Sequence, residues 1–348
     1  MRPSRLAGVT LLLSLALPHT VRAQASPCEP APSATTTLTN AWVAPSGALW
    51  VVGAQGAIGH RTERGAWCWQ TPRPGEPWTA VWGVDDDDVR FVSARGAILH
   101  RNGDAFTLER APDDAPLDGI WGSGSRDVYA VGTTGRALHF DGAGWHAIDP
   151  EPGYQLRAVW GSDAAHVWAV GRIPTRFPLS GGGSLSGVDL VVLRRSETDW
   201  VREGSFAQPY GGGGLSAIDG TSAHDVWAVG LNQPAGAATG VSIAAHFDGA
   251  RWSEVALPGG LHTGRSFRDV VAGLPGAPFG VLIATSDGAL RGTPRVACPT
   301  DTTRDWARDP EAPPMLSGVA RRDGVLWGVG PNLTVVRATA TGWTREPL

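Results

Sequence analysis

Apolar and polar positions alternate with period two in short bursts along this chain, and the bursts recur. Residues 156–171 read LRAVWGSDAAHVWAVG, residues 215–230 read LSAIDGTSAHDVWAVG, and residues 117–132 read LDGIWGSGSRDVYAVG. Alternation of this kind, rich in Val, Ile and Trp, predicts half-buried strands rather than helices. The full unit runs L-x-x-V-W-G, a polar turn, D-V-W-A-V-G, a turn, G-x-I-L-H, then x-D-G-x-x-W and a polar exit. It predicts four strands, a to d. First-strand anchors fall at Leu38–Trp42, Trp78–Trp82, Leu117–Trp121, Leu156–Trp160, Leu215–Asp219, Phe267–Val271 and Leu316–Ala320, at steps of 40, 39, 39, 59, 52 and 49 residues. A period of about 40 residues with four strands per unit predicts an all-β, seven-bladed β-propeller with four antiparallel strands per blade. Six or eight blades are the alternatives.

Tryptophan keeps the same phase. It recurs on strand a (Trp42, Trp82, Trp121, Trp160), on strand b (Trp50, Trp168, Trp227, Trp327) and on strand d (Trp67, Trp145, Trp200, Trp252, Trp343). A flat ring on a strand covers a large apolar area, on the order of 200 Å², against the next blade. Glycines after strand b are expected to supply positive φ at a tight turn. Asp141 and Asp248 in the D-G-x-x-W turns are expected to accept backbone N–H groups and hold the turn closed. His60, His100, His139 and His246 end strand c on separate blades, so they are read as structural rather than as a convergent metal set. Unit six, Phe267 to about Cys298, is read as keeping its strands and the Asp287-Gly288 turn but losing its tryptophans. The chain starts at strand a of unit one and ends at strand d of unit seven. The ring is therefore expected to close by packing of blade one on blade seven, without a shared strand.

The first 23 residues stand outside this pattern. Arg2 and Arg5 precede an apolar stretch, Leu6 to Leu17, and Val21-Arg22-Ala23 fits a cleavage site before Gln24. This predicts a secretory signal peptide over 1–23, a tail over 24–37 and a propeller domain over 38–348, placed in the periplasm or medium. A lipoprotein would need a small residue before its acylated cysteine, and Pro27 precedes Cys28. No later stretch is long and apolar enough for a membrane-spanning helix. All 29 basic residues are arginine, and the mature chain would hold 26 against 33 acids. A net charge near −7 without a basic stripe argues against nucleic acid as a partner. Cys28, Cys68 and Cys298 allow one disulfide in an exported chain, by three pairings. The pairing Cys28–Cys68 would pin the tail to blade one.

The D-G-x-x-W turn with its Gly-x-I-L strand resembles the Asp-box turn of sialidase-like propellers, one residue shorter between Asp and Trp. The whole unit, over about 38–346, is similar to the repeats of photosystem II assembly-factor propellers and of secreted bacterial W-G-S…D-V-W-A-V-G proteins. The resemblance implies the fold and leaves function open, because such propellers host enzymes and binders alike. A sialidase would need an arginine triad and a tyrosine–glutamate pair. None can be placed around Tyr129, Tyr154 or Tyr210, and Tyr129 occupies a repeat tryptophan position. Asp85 to Asp88 lack the spacing of a calcium loop and read as a solvated turn. Gly211–Gly214 lacks the lysine and helix of a phosphate loop and reads as a hinge. No cofactor or metal is called for.

Length differences carry the remaining information. Blades four and five lengthen the b–c connection at 172–189 and 231–240. The long d–a connections 201–214, 254–266 and 292–314 should emerge on the same face. That face is the expected binding surface, with Arg172, Arg176, Phe177, Tyr210 and His262 as candidate contacts. The sequence therefore predicts a secreted, non-enzymatic binding or scaffold propeller that meets a protein or glycan there. The alternative is an extracellular carbohydrate hydrolase or lyase with its site in the central funnel.

Overall fold

The computed structural model describes residues 27–178, 181–208, 211–234, 240–258, 260–261, 263–274, 277–294, 304–339 and 342–348. They form seven four-stranded antiparallel sheets, each with its strands in sequence order. The blades span 38–70, 78–109, 119–147, 155–208, 211–254, 267–308 and 318–345. The count is seven, and each terminal blade is built from its own consecutive strands.

There is no single core. Seven apolar clusters each draw on two adjacent blades, one cluster per seam. At the closing seam, Leu38, Val43, Leu49, Val51 and Trp69 of blade 1 pack on Trp327, Val329, Leu333 and Val335 of blade 7. Arg61 pairs with Glu346 at 2.9 Å across it, and Leu333 N–H donates to Thr36 O at 2.7 Å. The Cys28–Cys68 disulfide forms within the tail and blade 1, so it holds the tail without crossing this seam. Cys298 lies outside the described residues.

The W-G pair of strand a has a direct steric reason. Trp42, Trp82, Trp121 and Trp160 each lie over the glycine of the next blade, at Gly83, Gly122, Gly161 and Gly220. A Cβ at any of these glycines would come within 3.0 Å of the indole. The glycines that end strand b (Gly53, Gly132, Gly171, Gly230) depart from the expected positive φ, which none of them has. Their Cβ would instead collide with the carbonyl just before the first-strand leucine of the same blade, at Thr37, Pro116, Gln155 and Gly214. The positive φ falls on the following turn, as at Gly96 (φ 80°) and Gly135 (φ 88°).

An outer set of contacts was not visible as a pattern. Three residues after the strand-d aromatic, blades 2, 4 and 6 carry an acid: Glu109, Glu203 and Asp309. Each accepts the strand-d indole N–H of the next blade, from Trp145 (2.7 Å), Trp252 (3.1 Å) and Trp343 (3.2 Å). Charge-assisted bonds of this kind tie seams at their outer edge.

Two expectations for blades 4 to 6 are corrected. Blade 6 keeps a strand-d tryptophan, because its last strand is Arg304–Arg308 and Trp306 packs on Trp227 with centroids 6.0 Å apart. The Asp287-Gly288 pair closes the b–c hairpin, where Thr285 pairs with Gly288, and not the c–d turn. The lengthened connection of blade 4 is mostly strand, and in blade 5 strand b continues to Pro234. Strand b of blade 4 runs His166–Pro178, paired with strand c, Ser184–Arg195, and strand d reaches Gln208. Gly211–Gly214 is no hinge: it is the start of strand a of blade 5, paired with Leu231–Pro234.

Candidate functional site

The chemistry-bearing residues divide into those that hold each blade together and those that face the central cavity. The histidines belong to the first group. His100, His139 and His246 lie 2.8, 2.7 and 2.9 Å from Asp88, Asp127 and Asp225, the residues that open strand b of their own blades. His139 stacks on Tyr129 and His246 packs against Trp227, with centroids 4.5 Å apart in both. Burial alone would lower the His100 pKa, but Asp88 and Glu109 outweigh it and the group is raised. His60 has only Asp86 at 3.9 Å, and burial lowers it. Tyr129 is buried, which pushes its hydroxyl up to about 12. Asp141 and Asp248 each accept two backbone N–H groups of their turns at 2.8–3.0 Å, and these bonds hold both carboxyls below the usual range. Asp85 accepts the N–H groups of Asp87 and Asp88 at 2.9 Å within its own turn.

The second group surrounds the axis. A cavity of about 850 Å³ is lined by the first half of the strand-a segments and by the ends of strand b. In the repeat frame, the second residue of strand a is Thr39, Thr79, Asp118, Arg157, Ser216, Arg268 and Ser317, and all seven line the cavity. On blades 1, 2 and 5 this hydroxyl lies 2.8 Å from a carbonyl of the next blade, at Trp78, Leu117 and Phe267. Blades 3, 4 and 6 put a charge there instead. Asp118 accepts Thr133 N–H at 2.9 Å and Arg157 at 3.2 Å. Among the described residues Arg268 has no hydrogen-bond or ion-pair partner.

Arg172 joins this group. Its Nε donates to Gln155 Oε1 at 2.7 Å and a terminal N–H donates to Gly213 O at 2.8 Å. A Cβ at Gly213, which has φ 107°, would collide with Leu231 O. The glycine run thus lets strand a of blade 5 pass close to its neighbours and meet the Arg172 guanidinium.

Two acids lie further along strand a, Asp269 at its third repeat position and Asp219 at its fifth. Asp269 lines the cavity and accepts Val319 N–H at 2.8 Å and Val270 N–H at 2.9 Å. Burial raises its carboxyl to about 7, with nearby Asp219 adding to the rise. Asp219 stands where other blades have the strand-a tryptophan. It accepts Ala272 N–H at 2.9 Å, and burial raises it to about 6.

Of the candidate contacts among the described residues, Arg172 lines the cavity and Arg176 does not. Arg176 is exposed on strand b of blade 4, opposite Ser186, and Phe177 pairs with Leu185. Tyr210 and His262 lie outside the described residues. Sequence reasoning missed Arg157, Arg268, Asp118 and Asp269. The usable signal was the second position of strand a, which holds a hydroxyl in four repeats and a charge in three.

No family model and no curated protein matches this sequence. Solved structures match its fold. A structure described as YCF48 bound to D1 peptide aligns with TM-score 0.61 at 16% identity, covering 88% of this chain and 94% of that one. YCF48 from Cyanidioschyzon merolae aligns with TM-score 0.58 at 14% identity, covering 90% and 98%. A GH74 xyloglucanase from Xanthomonas campestris aligns with TM-score 0.59 at 14% identity. It covers 88% of this chain and 52% of the xyloglucanase, so the present chain spans about half of that enzyme's length. At these identities the likeness carries the propeller fold and no site residue.

Proposed function

We propose that this chain is an exported binding propeller whose macromolecular partner, a protein or glycan, docks on the face where blades 4 and 5 rise above the ring. One observation carries the reading. The blade 4 addition is paired strand, not slack loop: from Arg172 to Pro178, strand b pairs residue by residue with strand c, back to Ser184. Seven residues of strand extend past the ordinary blade end by about 20 Å. They build a wall beside the mouth of the cavity, with Arg172 at its root. A paired wall presents a preformed surface, which lowers the ordering cost of binding. The peptide-bound propeller among the structural neighbours supports this use of the fold.

The test is a cross-linked capture with the tagged chain 24–348 from the producing cell's envelope and medium. It runs beside a variant in which 173–187 is replaced by a two-residue turn. A partner captured by the first and lost by the second supports the reading. Equal capture by both moves the site off the wall.

The hydrolase alternative has one point in its favour: Asp269, a cavity carboxyl with a raised pKa. However, Asp269 spends both oxygens on backbone N–H groups, and Phe267, the one aromatic among the described lining residues, is buried. A sugar ring would find no aromatic platform there. Turnover of soluble glycans by the chain 24–348, lost in Asp269→Asn, would favour the alternative.

A further inference from the structure

The second position of strand a divides the cavity mouth into two arcs. Blades 7, 1 and 2 present Ser317, Thr39 and Thr79, with Asn40 beside them. Blades 3, 4 and 6 present Asp118, Arg157, Arg172, Arg268 and Asp269, with Ser216 of blade 5 between them.

The arcs differ in what they offer a ligand. Thr39 and Thr79 direct their single hydroxyl protons at carbonyls of the next blade, so their oxygens keep only lone pairs for the cavity. Asn40 uses its side-chain oxygen on Val81 N–H and keeps its amide N–H₂. The other arc has surplus donors. A guanidinium has five N–H groups. Arg157 gives one to Asp118, Arg172 gives one each to Gln155 and Gly213, and Arg268 gives none. Three cations face two carboxylates, and both oxygens of Asp269 already accept backbone N–H groups.

Arg268 is the anomaly. It is half-buried and unpartnered at a position where Thr39, Thr79 and Ser216 clip neighbouring blades together. Its guanidinium nitrogens stay open to the cavity and keep their donors for a ligand. The clip is also lost at the blade 6–7 seam. A ligand carboxylate in the planar fork of the guanidinium would restore both the charge balance and the missing hydrogen bonds.

We infer that the mouth of the central cavity binds a small hydroxylated carboxylate. Its carboxylate sits on Arg268, with Arg157 and Arg172 beside it, and its hydroxyls meet the oxygens of Thr39 and Thr79. The volume of about 850 Å³ falls in the range of small-molecule sites. The absence of an exposed aromatic in the described lining favours a flexible polar acid over a stacked sugar chain. The inference stands apart from the macromolecular partner proposed above, because it uses the axis and not the wall.

The test is calorimetric titration of the chain 24–348 with gluconate and galacturonate, against sorbitol, acetate and sulfate. The key variant is Arg268→Ser, which installs the hydroxyl already present at Ser216 and so should fold. Both hydroxy acids should bind, with sorbitol and acetate at least about tenfold weaker, since each keeps only one half of the recognition. Arg268→Ser should weaken the hydroxy acids by at least about tenfold while its melting temperature holds or rises. Arg268→Lys should recover only part of the loss, because an ammonium lacks the fork. Arg64→Gln, on an exposed turn of blade 1, should bind as the parent chain does. Four results would overturn the inference: neither hydroxy acid binding, sulfate binding as tightly as gluconate, affinity unmoved by Arg268→Ser, or a lower melting temperature in that variant. The last would mean that Arg268 is structural. Loss of partner capture on trimming the wall, with these titrations unchanged, would leave both proposals standing.

Discussion

Blade 3 and blade 5 are built on the same stem and differ at one end. Strand b of blade 3 is five residues long, Asp127–Val131, and strand b of blade 5 is ten, Asp225–Pro234. Both open with an aspartate bonded to the strand-c histidine, and both bury the aromatic two residues later. All the added length lies beyond the glycine that ends the ordinary strand. The stem specifies the blade and its two seams. The end toward the cavity is freer to vary, because most of each apolar seam cluster lies in the stem. The same division should separate substitutions that unfold the protein from substitutions that change what it binds.

The largest effect should come from the stem. Trp227 is fully buried, packs on His246, meets Trp306 of blade 6 edge-on, and donates its indole N–H to Asp225 at 3.0 Å. Trp227→Ala should cost about 3–5 kcal/mol, read from denaturant midpoints. Shortening 173–187 should cost less than about 1 kcal/mol, because the buried Leu190 and Val192 of the blade 4–5 seam remain. If the trimmed chain loses as much as Trp227→Ala, the division between stem and end is wrong.

A smaller effect compares two seams. Glu203 Oε2 accepts indole N–H groups from Trp168 in its own blade (2.6 Å) and Trp252 in the next (3.1 Å). The equivalent position in blade 3 is Ile148, and the Trp200 indole N–H at that seam is buried without a partner. Glu203→Ala should therefore cost about 1–3 kcal/mol, leaving two indole donors unsatisfied. Ile148→Ala should register only lost apolar contact, about 1 kcal/mol or less for a partly buried side chain. Equal losses by calorimetry would deny the acid its role in the seam.

The stem was legible in the sequence because it repeats. Trp82, Trp121 and Trp160 advertise the seam, and the fold follows from their spacing. The glycine that ends strand b carried a second reason, close approach to a carbonyl, while the positive φ expected after strand b falls on the turn glycines such as Gly96 and Gly135. The cavity was far less legible. Arg268 is informative only against Thr39, Thr79 and Ser216 at the same repeat position, and a charged residue in one strand carries no sign that it faces an axis. The wall was half visible. Its length stood out at 172–189, but its regular pairing did not, because Gly181 to Gly183, which form only the turn at its tip, and Gly211 to Gly214, which the ladder holds as strand, all read as loop. Trp306 escaped because the segment before strand d of blade 6 is long.

The finest comparison sets blade 1 against blade 6. Asn40 accepts Val81 N–H of blade 2 at 3.2 Å, and Asp269 accepts the equivalent Val319 N–H of blade 7 at 2.8 Å. One blade does with a neutral amide what the other does with a carboxyl raised to about 7. A folded-state value above the unfolded one means that the native chain holds the extra proton between about pH 4 and 7. The native state is then favoured at low pH, and this contribution is lost as pH rises through about 7. The loss should be at most about 1.4 kcal/mol per pH unit for one proton, and less where cavity water reaches the group. Asp269→Asn removes the titration. Its oxygen can keep the Val319 bond as Asn40 keeps that to Val81, while the Val270 bond is given up. The variant should therefore be less stable than the parent at pH 5 and equal or more stable at pH 8, so the two stability curves cross. Parallel curves from pH 4 to 8 in urea titrations would show that Asp269 stays ionised throughout, held by its two backbone donors as firmly as any surface carboxylate.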